Sequence, residues 1–489
     1  MDVKRLILKN CSSINCSSIN KYRWEYLMSK DERAKPDDRE TLKLTQWELE
    51  NLHLPPVTTL TLFEGAPPVE FLRQRLAMML EKNPWLTSRI VKKSTENGVV
   101  ALAYTESFEA QACIDQHLMV YAPEDVSISL SMPYEAMVKA LLPVQCARSK
   151  PATDKDEALF KVAVIPVKAE ATDTDSPAPL QQAMTEAGFA LVISMNHTLG
   201  DGHTYYKLYG MLSADTDVEA LDPVRVDGFE EAKTQVVGEQ ESAMFRSPGV
   251  ALGIMGDYLG AKITRRPPQN VAIHQIEPEW LSRQKAKAKQ EHVAPFVSSN
   301  DIISSWFFRE MRADLNIMLA NFRSRQPSIV GLNELHAGNY EANVPYFRGD
   351  VENSALIRQS IRNPDGTFRA RRAGVPATEI PEFMTLLHNK CALITNWATF
   401  YRDLVLPGKA EEREDREHRR TLNPKLHFPI MKSNGIITSV WNNGIIFRPR
   451  AGELGILMIT SHFDNEGLNG LSITKAQDDP NSPIGDRIV

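Results

Sequence analysis

The chain has 489 residues, with 56 basic and 62 acidic side chains and a net charge of −6. Its length calls for two domains or one large pseudo-duplicated unit, and its 42% apolar and 24% charged fractions are those of a globular protein with a sizeable core. No lobe is strongly basic and the charges are mixed along the chain, which argues against a nucleic-acid partner and marks no anionic-membrane surface.

Five cysteines (Cys11, Cys16, Cys113, Cys146, Cys391), odd in number and without a CxxC pair, argue against a disulfide framework or a zinc site. They suit a reducing compartment, and a cytoplasmic location is expected. The N-terminus has no apolar stretch of signal-peptide length, and no run approaches the ~18 apolar residues of a membrane span. Asn10-Cys11-Ser12 and Asn15-Cys16-Ser17 match the glycosylation pattern but read as chance occurrences. The pentad Asn-Cys-Ser-Ser-Ile repeats within residues 10–20, a local duplication expected at the surface.

Pro68 to Lys82 reads as a helix, with Phe71, Leu72, Leu76, Met79 and Leu80 on one face and a stop at Asn83-Pro84. A strand is expected from Ser88, with Val99 to Tyr104 as its hairpin partner. Residues 148–158 are polar, Phe160 to Val167 is β-rich, and Lys168 to Ala187 is loop-like. Phe189 to His197 is almost continuously apolar, the pattern of a central strand buried on both faces. Gly200 and Gly202 turn the chain, and Tyr205, Leu208, Tyr209 and Leu212 then recur at helical spacing. By composition the expected division is an N-terminal lobe at 1–225, a crossover at 226–295 with Arg265-Arg266-Pro267-Pro268 as linker, and a C-terminal lobe at 296–489. Ser298-x-x-Asp301 opens a helix whose face carries Ile302, Ile303, Trp306, Phe307 and Met311. Strands are expected at Ile329–Asn333, Gly435–Val440, Gly444–Phe447 and Leu454–Thr460. Lys409 to Arg420 is a charge run expected to be solvated, and the tail from Asp478 is expected to be disordered.

The segment His197-Thr198-Leu199-Gly200-Asp201-Gly202 carries the chemistry. A base that deprotonates an attacking hydroxyl or amine needs a pKa near neutrality, and histidine is the side chain closest to it. The end of a rigid central strand would fix the ring, and glycine lets the backbone turn sharply beside a substrate. A histidine at a strand end is also commonly structural, and Asp201 could be only an N-cap. His197, Asp201 and His203 could ligate a metal, but no further Cys/His cluster completes such a site, so none is expected.

His197-x-x-x-Asp201-Gly202 after a buried strand resembles the signature of the CoA-dependent acyltransferase superfamily, which includes chloramphenicol acetyltransferase, the BAHD acyltransferases and peptide-synthetase condensation domains. Other segments resemble it in order: Leu80 to Ile90 the early hPxLxxRl segment, Ser299-Asn300-Asp301 the T-x-N-D helix start, Ala337-Gly338-Asn339-Tyr340 the later GN segment, and Ile437 to Trp441 the strand before the BAHD DFGWG motif. DFGWG itself is not found; Asn442-Asn443-Gly444-Ile445 and Ala451 to Gly455 occupy that region.

The resemblance implies an α/β fold of two chloramphenicol-acetyltransferase-like lobes, with mixed sheets backed by helices and a solvent channel at their interface. His197 would be general base for transfer from an acyl-CoA to an alcohol or amine, without a covalent acyl-enzyme. Asp201 would support the loop through an arginine, and Gly202 completes the motif. Acyl-CoA is then a co-substrate, no cofactor is expected, and the acceptor is a small molecule or a lipid. Ser439, Trp441 and Asn442 are candidate oxyanion or substrate contacts, and Asn300 and Asp301 candidate channel-structuring residues. The alternatives are a condensation-type domain served by an acyl-carrier protein and a binding module without turnover. A monomer is expected.

Overall fold

The computed structural model describes residues 39–92, 99–106, 108–129, 131–168, 188–264, 269–325, 331–363, 368–370, 391–408, 421–432, 441–460 and 482–488. By its internal packing the chain divides into Met1–Glu40, nearly all of it outside the described residues, and Thr41–Val489, which contains the strands and helices of both main sheets.

The first half includes β1 (Val57–Glu64), α1 (Val69–Lys82), β2 (Leu118–Val120), β3 (Phe160–Lys168), β4 (Gly188–Met195) and α2 (Gly202–Met211). α1 buries Leu72, Leu76, Met79 and Leu80, the face that the spacing predicts, and ends at Asn83 because Pro84 comes next. β4 is the inner strand of its sheet. It pairs antiparallel with β1 and β3, placing Met195 opposite both Val57 and Phe160, and every residue after Gly188 is buried.

The segment expected to be a crossover is richly structured. It holds helices at Phe229–Val237 and Glu239–Arg246, then α3 (Pro248–Ile263), β5 (Asn270–Ile276) and a helix at Pro278–Glu291. The second half adds α4 (Ser299–Met311), β6 (Leu315–Asn321), β7 (Glu341–Tyr346), β8 (Cys391–Asn396), β9 (Leu426–Pro429), β10 (Asn442–Phe447), β11 (Gly455–Thr460) and β12 (Ile484–Arg487). The Ser298/Asp301 capping box forms as its sequence predicts, and Ile302, Ile303, Trp306, Phe307 and Met311 are all buried.

The first sheet runs β9-β1-β4-β3-β2, with Ile128–Ser129 also paired to β3. The second runs β7-β6-β8-β10-β11-β5-β12, parallel at β6/β8 and β8/β10 and antiparallel elsewhere. β9 comes from the second half of the chain yet completes the first sheet. One apolar core runs through both sheets, joining Leu60, Val162, Leu191 and Ile193 to Ile273, Ile445, Phe447, Leu457 and Ile459. The fold class is thus mixed α/β, with two mixed sheets backed by helices.

Two expectations fail here. The strand read at Ile329–Asn333 is absent from residues 331–333, where Gly331 turns the chain at φ +90°; the sheet strand of this region is β6, upstream. The tail read as disordered supplies β12, which pairs with β5 and buries Ile484. The strand read at Gly435–Val440, the linker Arg265–Pro268, the charge run from Lys409 and the pentad repeat lie outside the described residues.

Candidate functional site

β4 ends at Met195, and Asn196 locks the turn that leaves the strand. Its Nδ2 donates to the Ala147 carbonyl (2.7 Å), while its Oδ1 accepts from the backbone N–H (3.0 Å) and hydroxyl (2.7 Å) of Thr198 and from the Ser149 hydroxyl (2.7 Å). His197 therefore sits in a turn with buried polar anchors on both sides. The turn closes on Asp201, the N-cap of α2, whose Oδ1 accepts from the Thr204 N–H at 3.0 Å. Gly200 is needed because a Cβ there would lie 2.6 Å from the Thr204 side chain. Gly202 faces Trp397, 3.4 Å from where its Cβ would stand.

The arginine facing Asp201 is Arg323, two residues past β6. Its Nη1 donates to Asp201 Oδ2 at 2.7 Å, and both side chains are buried. Arg323 also donates to the carbonyls of His336 and Gly338, each at 2.8 Å, and its guanidinium lies over the Tyr340 ring. The Tyr340 N–H in turn donates to Asp201 Oδ2. Burial pushes the Asp201 carboxyl up, but the charge and hydrogen bond of Arg323 outweigh it and hold the group at about 2. Asp201 is thus a carboxylate whose oxygens all face protein donors.

A second buried ion pair grips the opposite side of the turn. Glu48 closes a capping box with Thr45 at the start of a short helix, Gln46–Glu50. Its carboxylate meets Arg225 at 2.9 Å and accepts from Asn339 Nδ2 at 2.8 Å. Arg225 donates to the Thr198 carbonyl (2.8 Å) and Asn339 to the His197 carbonyl (3.0 Å). The segment Ala337–Tyr340 is therefore folded directly against the histidine turn. Gly338, at φ +139°, lets it pass, since a Cβ there would stand 3.1 Å from Tyr340 and 3.2 Å from Arg225.

The His197 ring is half-buried, with the Trp47 ring 6.0 Å away at a 51° tilt. Its Nδ1 is enclosed and meets no aligned hydrogen-bond partner. Burial lowers the imidazole pKa below 6.5; the Asp201 charge, its own carbonyl, Asn339 and Glu48 oppose that shift without reversing it. At neutral pH the ring is a neutral imidazole able to accept a proton.

The remaining described candidates make contacts of their own. Asn300 Oδ1 accepts from Asn396 at 3.0 Å, and Asp301 pairs with Arg358 at 2.5 Å. Trp441 packs among Leu315, Ile317, Phe347 and Cys391, and Asn442 Oδ1 accepts from Thr460 at 2.6 Å. Ser439 lies outside the described residues. His203 Nε2 is 3.0 Å from the Glu334 carbonyl oxygen, and among the described residues no three His, Cys, Asp or Glu side chains form a metal-binding group. Glu48, Arg225 and Arg323 belong to none of the motifs. Only Glu48 left a local trace, the Thr45-x-x-Glu48 capping pattern; Asn339 was singled out only as part of the GN segment.

No protein-family model matches the sequence, and no curated protein matches it. Among solved structures the chain is similar to TRI101 of F. sporotrichioides, complexed with coenzyme A and T-2, at 14% identity over 88% of this chain and 95% of that one, with a TM-score of 0.46. It is similar to TRI101 of F. graminearum, complexed with coenzyme A and deoxynivalenol, at 12% identity over 86% and 95%, with a TM-score of 0.49. It is also similar to the first condensation domain of the calcium-dependent antibiotic synthetase, at 14% identity over 88% and 92%, with a TM-score of 0.45.

Proposed function

We propose that the chain is an acyltransferase in which His197 removes the proton of an alcohol or amine as that group attacks an acyl thioester. The observation that supports it best is a neutral, half-buried imidazole at the end of an inner strand, its turn clamped by two buried ion pairs. Such a base is already oriented before substrate arrives, which is where much of the advantage of positioned catalysis lies.

His197 Nε2 takes the acceptor's proton while its oxygen or nitrogen bonds to the acyl carbon. The tetrahedral oxyanion collapses, the carbon–sulfur bond breaks, and the leaving thiolate recovers the proton from the imidazolium. No acyl-enzyme forms. The donor is proposed to be an acyl-CoA, as the resemblance of the His197–Gly202 segment implies, bound in a channel between the two sheets' lobes. Ser439, Trp441 and Asn442 remain the proposed oxyanion contacts, and Asn300 and Asp301 the proposed supports of the channel.

The test is a panel of acyl-CoA chain lengths against mixed alcohol and amine acceptors, read as thiol release and acylated product. Acceptor-dependent release is expected, with an acid limb inflecting below pH 6.5 because the base must be neutral. Turnover only from an acyl-carrier protein would move the assignment to a condensation-type domain, and binding without turnover would make the chain a binding module.

A further inference from the structure

α3 carries apolar side chains on its outward face as well as its inward one. Of its 16 residues only Asp257 and Lys262 are charged, and Asp257 faces inward with Val250 and Gly253. Ile254 and Tyr258 seat that inner face on the cluster holding Leu315, Ile317, Phe347 and Trp441. The outward arc carries Leu252, Met255, Leu259 and Ile263, at i, i+3, i+7 and i+11. They are 63, 45, 50 and 81% exposed, a third of the large exposed apolar side chains among the described residues. Surface helices normally place such residues on the core side and their charges in water. An exposed apolar stripe of this kind marks an interaction face.

Two observations choose its occupant. The outward arc holds no acidic group, and its one charge is Lys262, whose ammonium lies over the Tyr258 ring at 5.5 Å. The stripe is also too small for a second copy of this chain: 16 residues make a helix about 24 Å long and ~10 Å wide, so its face offers on the order of 250 Å², against roughly 800 Å² per partner in a stable complex. A bilayer surface needs no such complementary area. It accepts an apolar stripe edged by a cation, and anionic headgroups complement an arc free of acid.

We propose that α3 is a membrane-surface docking helix, lying in the headgroup plane of an anionic bilayer with Leu252, Met255, Leu259 and Ile263 turned into the acyl boundary. It would lie on the bilayer without crossing it, since no described helix is long and apolar enough to span one. The inference is independent of the acyl-transfer assignment, because it rests on a different element and is read without turnover.

The test is flotation of the full chain with phosphatidylcholine vesicles, with and without phosphatidylserine. Binding is expected with both and stronger with phosphatidylserine. The double variant Leu259→Asp/Ile263→Asp should lose roughly tenfold or more of the bound fraction. Both side chains are solvent-exposed, so an unchanged melting temperature checks that the variant folds. Lys262→Glu should weaken binding to the phosphatidylserine vesicles by on the order of tenfold and leave phosphatidylcholine binding nearly unchanged. No flotation with either vesicle overturns the proposal, as does flotation that the double variant leaves intact. A concentration-dependent doubling of mass that the variant abolishes assigns the face to a second copy instead.

Discussion

Around His197 single charges do long-range work. Glu341, the first residue of β7, is pushed up to about 8 by burial, with the Asp201 carboxylate adding to the shift against Arg323 and Lys233. A carboxyl raised in the folded state binds its proton more tightly there than in the unfolded chain. Its contribution is therefore full below pH 4.5, declines as pH rises, and is gone once pH has passed about 8. Asp201 has the opposite sign: its contribution is present above pH 3.8 and is lost as pH falls through about 2. Glu341→Gln removes the first dependence. In thermal melts at about pH 5 and about pH 8.5, the variant should gain on the wild type at the higher pH, and an equal difference at both would contradict the assignment. At this scale the sequence was readable where the signal is local. His197, Asp201 and Gly202 stand within six residues on a strand-to-turn pattern. Arg323, Arg225 and Glu48 lie 122, 27 and 291 positions from the groups they secure (Asp201, Thr198 and Asn339), and no spacing rule reaches that far.

Between elements, the N-terminus of α2 and the end of β6 are joined by the Asp201–Arg323 pair. Removing one partner of such a pair strands a buried charge, at a cost of about 3–5 kcal/mol. Arg323→Ala should therefore lower stability by about that amount in chemical denaturation, and should release the carbonyls of His336 and Gly338 as well. A loss under ~1 kcal/mol would show that the pair contributes little beyond a surface contact. α1, α4 and β4 could be read ahead of the structure because their apolar spacing is long and regular. β7 and β12 could not. Glu341-Ala-Asn-Val-Pro-Tyr and Ile484-Gly-Asp-Arg are short and polar, and sheet neighbours rather than their own sequences make them strands. β9 was hidden because Leu426-His-Phe-Pro is only four residues long, and only its pairing with β1 shows which sheet it completes.

At the scale of the whole molecule the two sheets are not independent. β9 returns from residue 426 to close the first sheet, the crossover donates β5 to the second, and one apolar core touches both. Calorimetry of residues 41–489 within the full chain should show one cooperative transition for both sheets, whereas two resolved transitions would mean that each carries its own stability. The same interlocking places a turn from the first sheet against a loop from the second, and the proposed chemistry depends on that meeting. The most direct check is the rate of acceptor-dependent thiol release by purified His197→Ala, shown to be folded by its melting temperature. A fall of ~10²-fold or more is expected for the loss of a general base. Wild-type turnover in the folded variant would contradict the central claim that this imidazole performs the proton transfer.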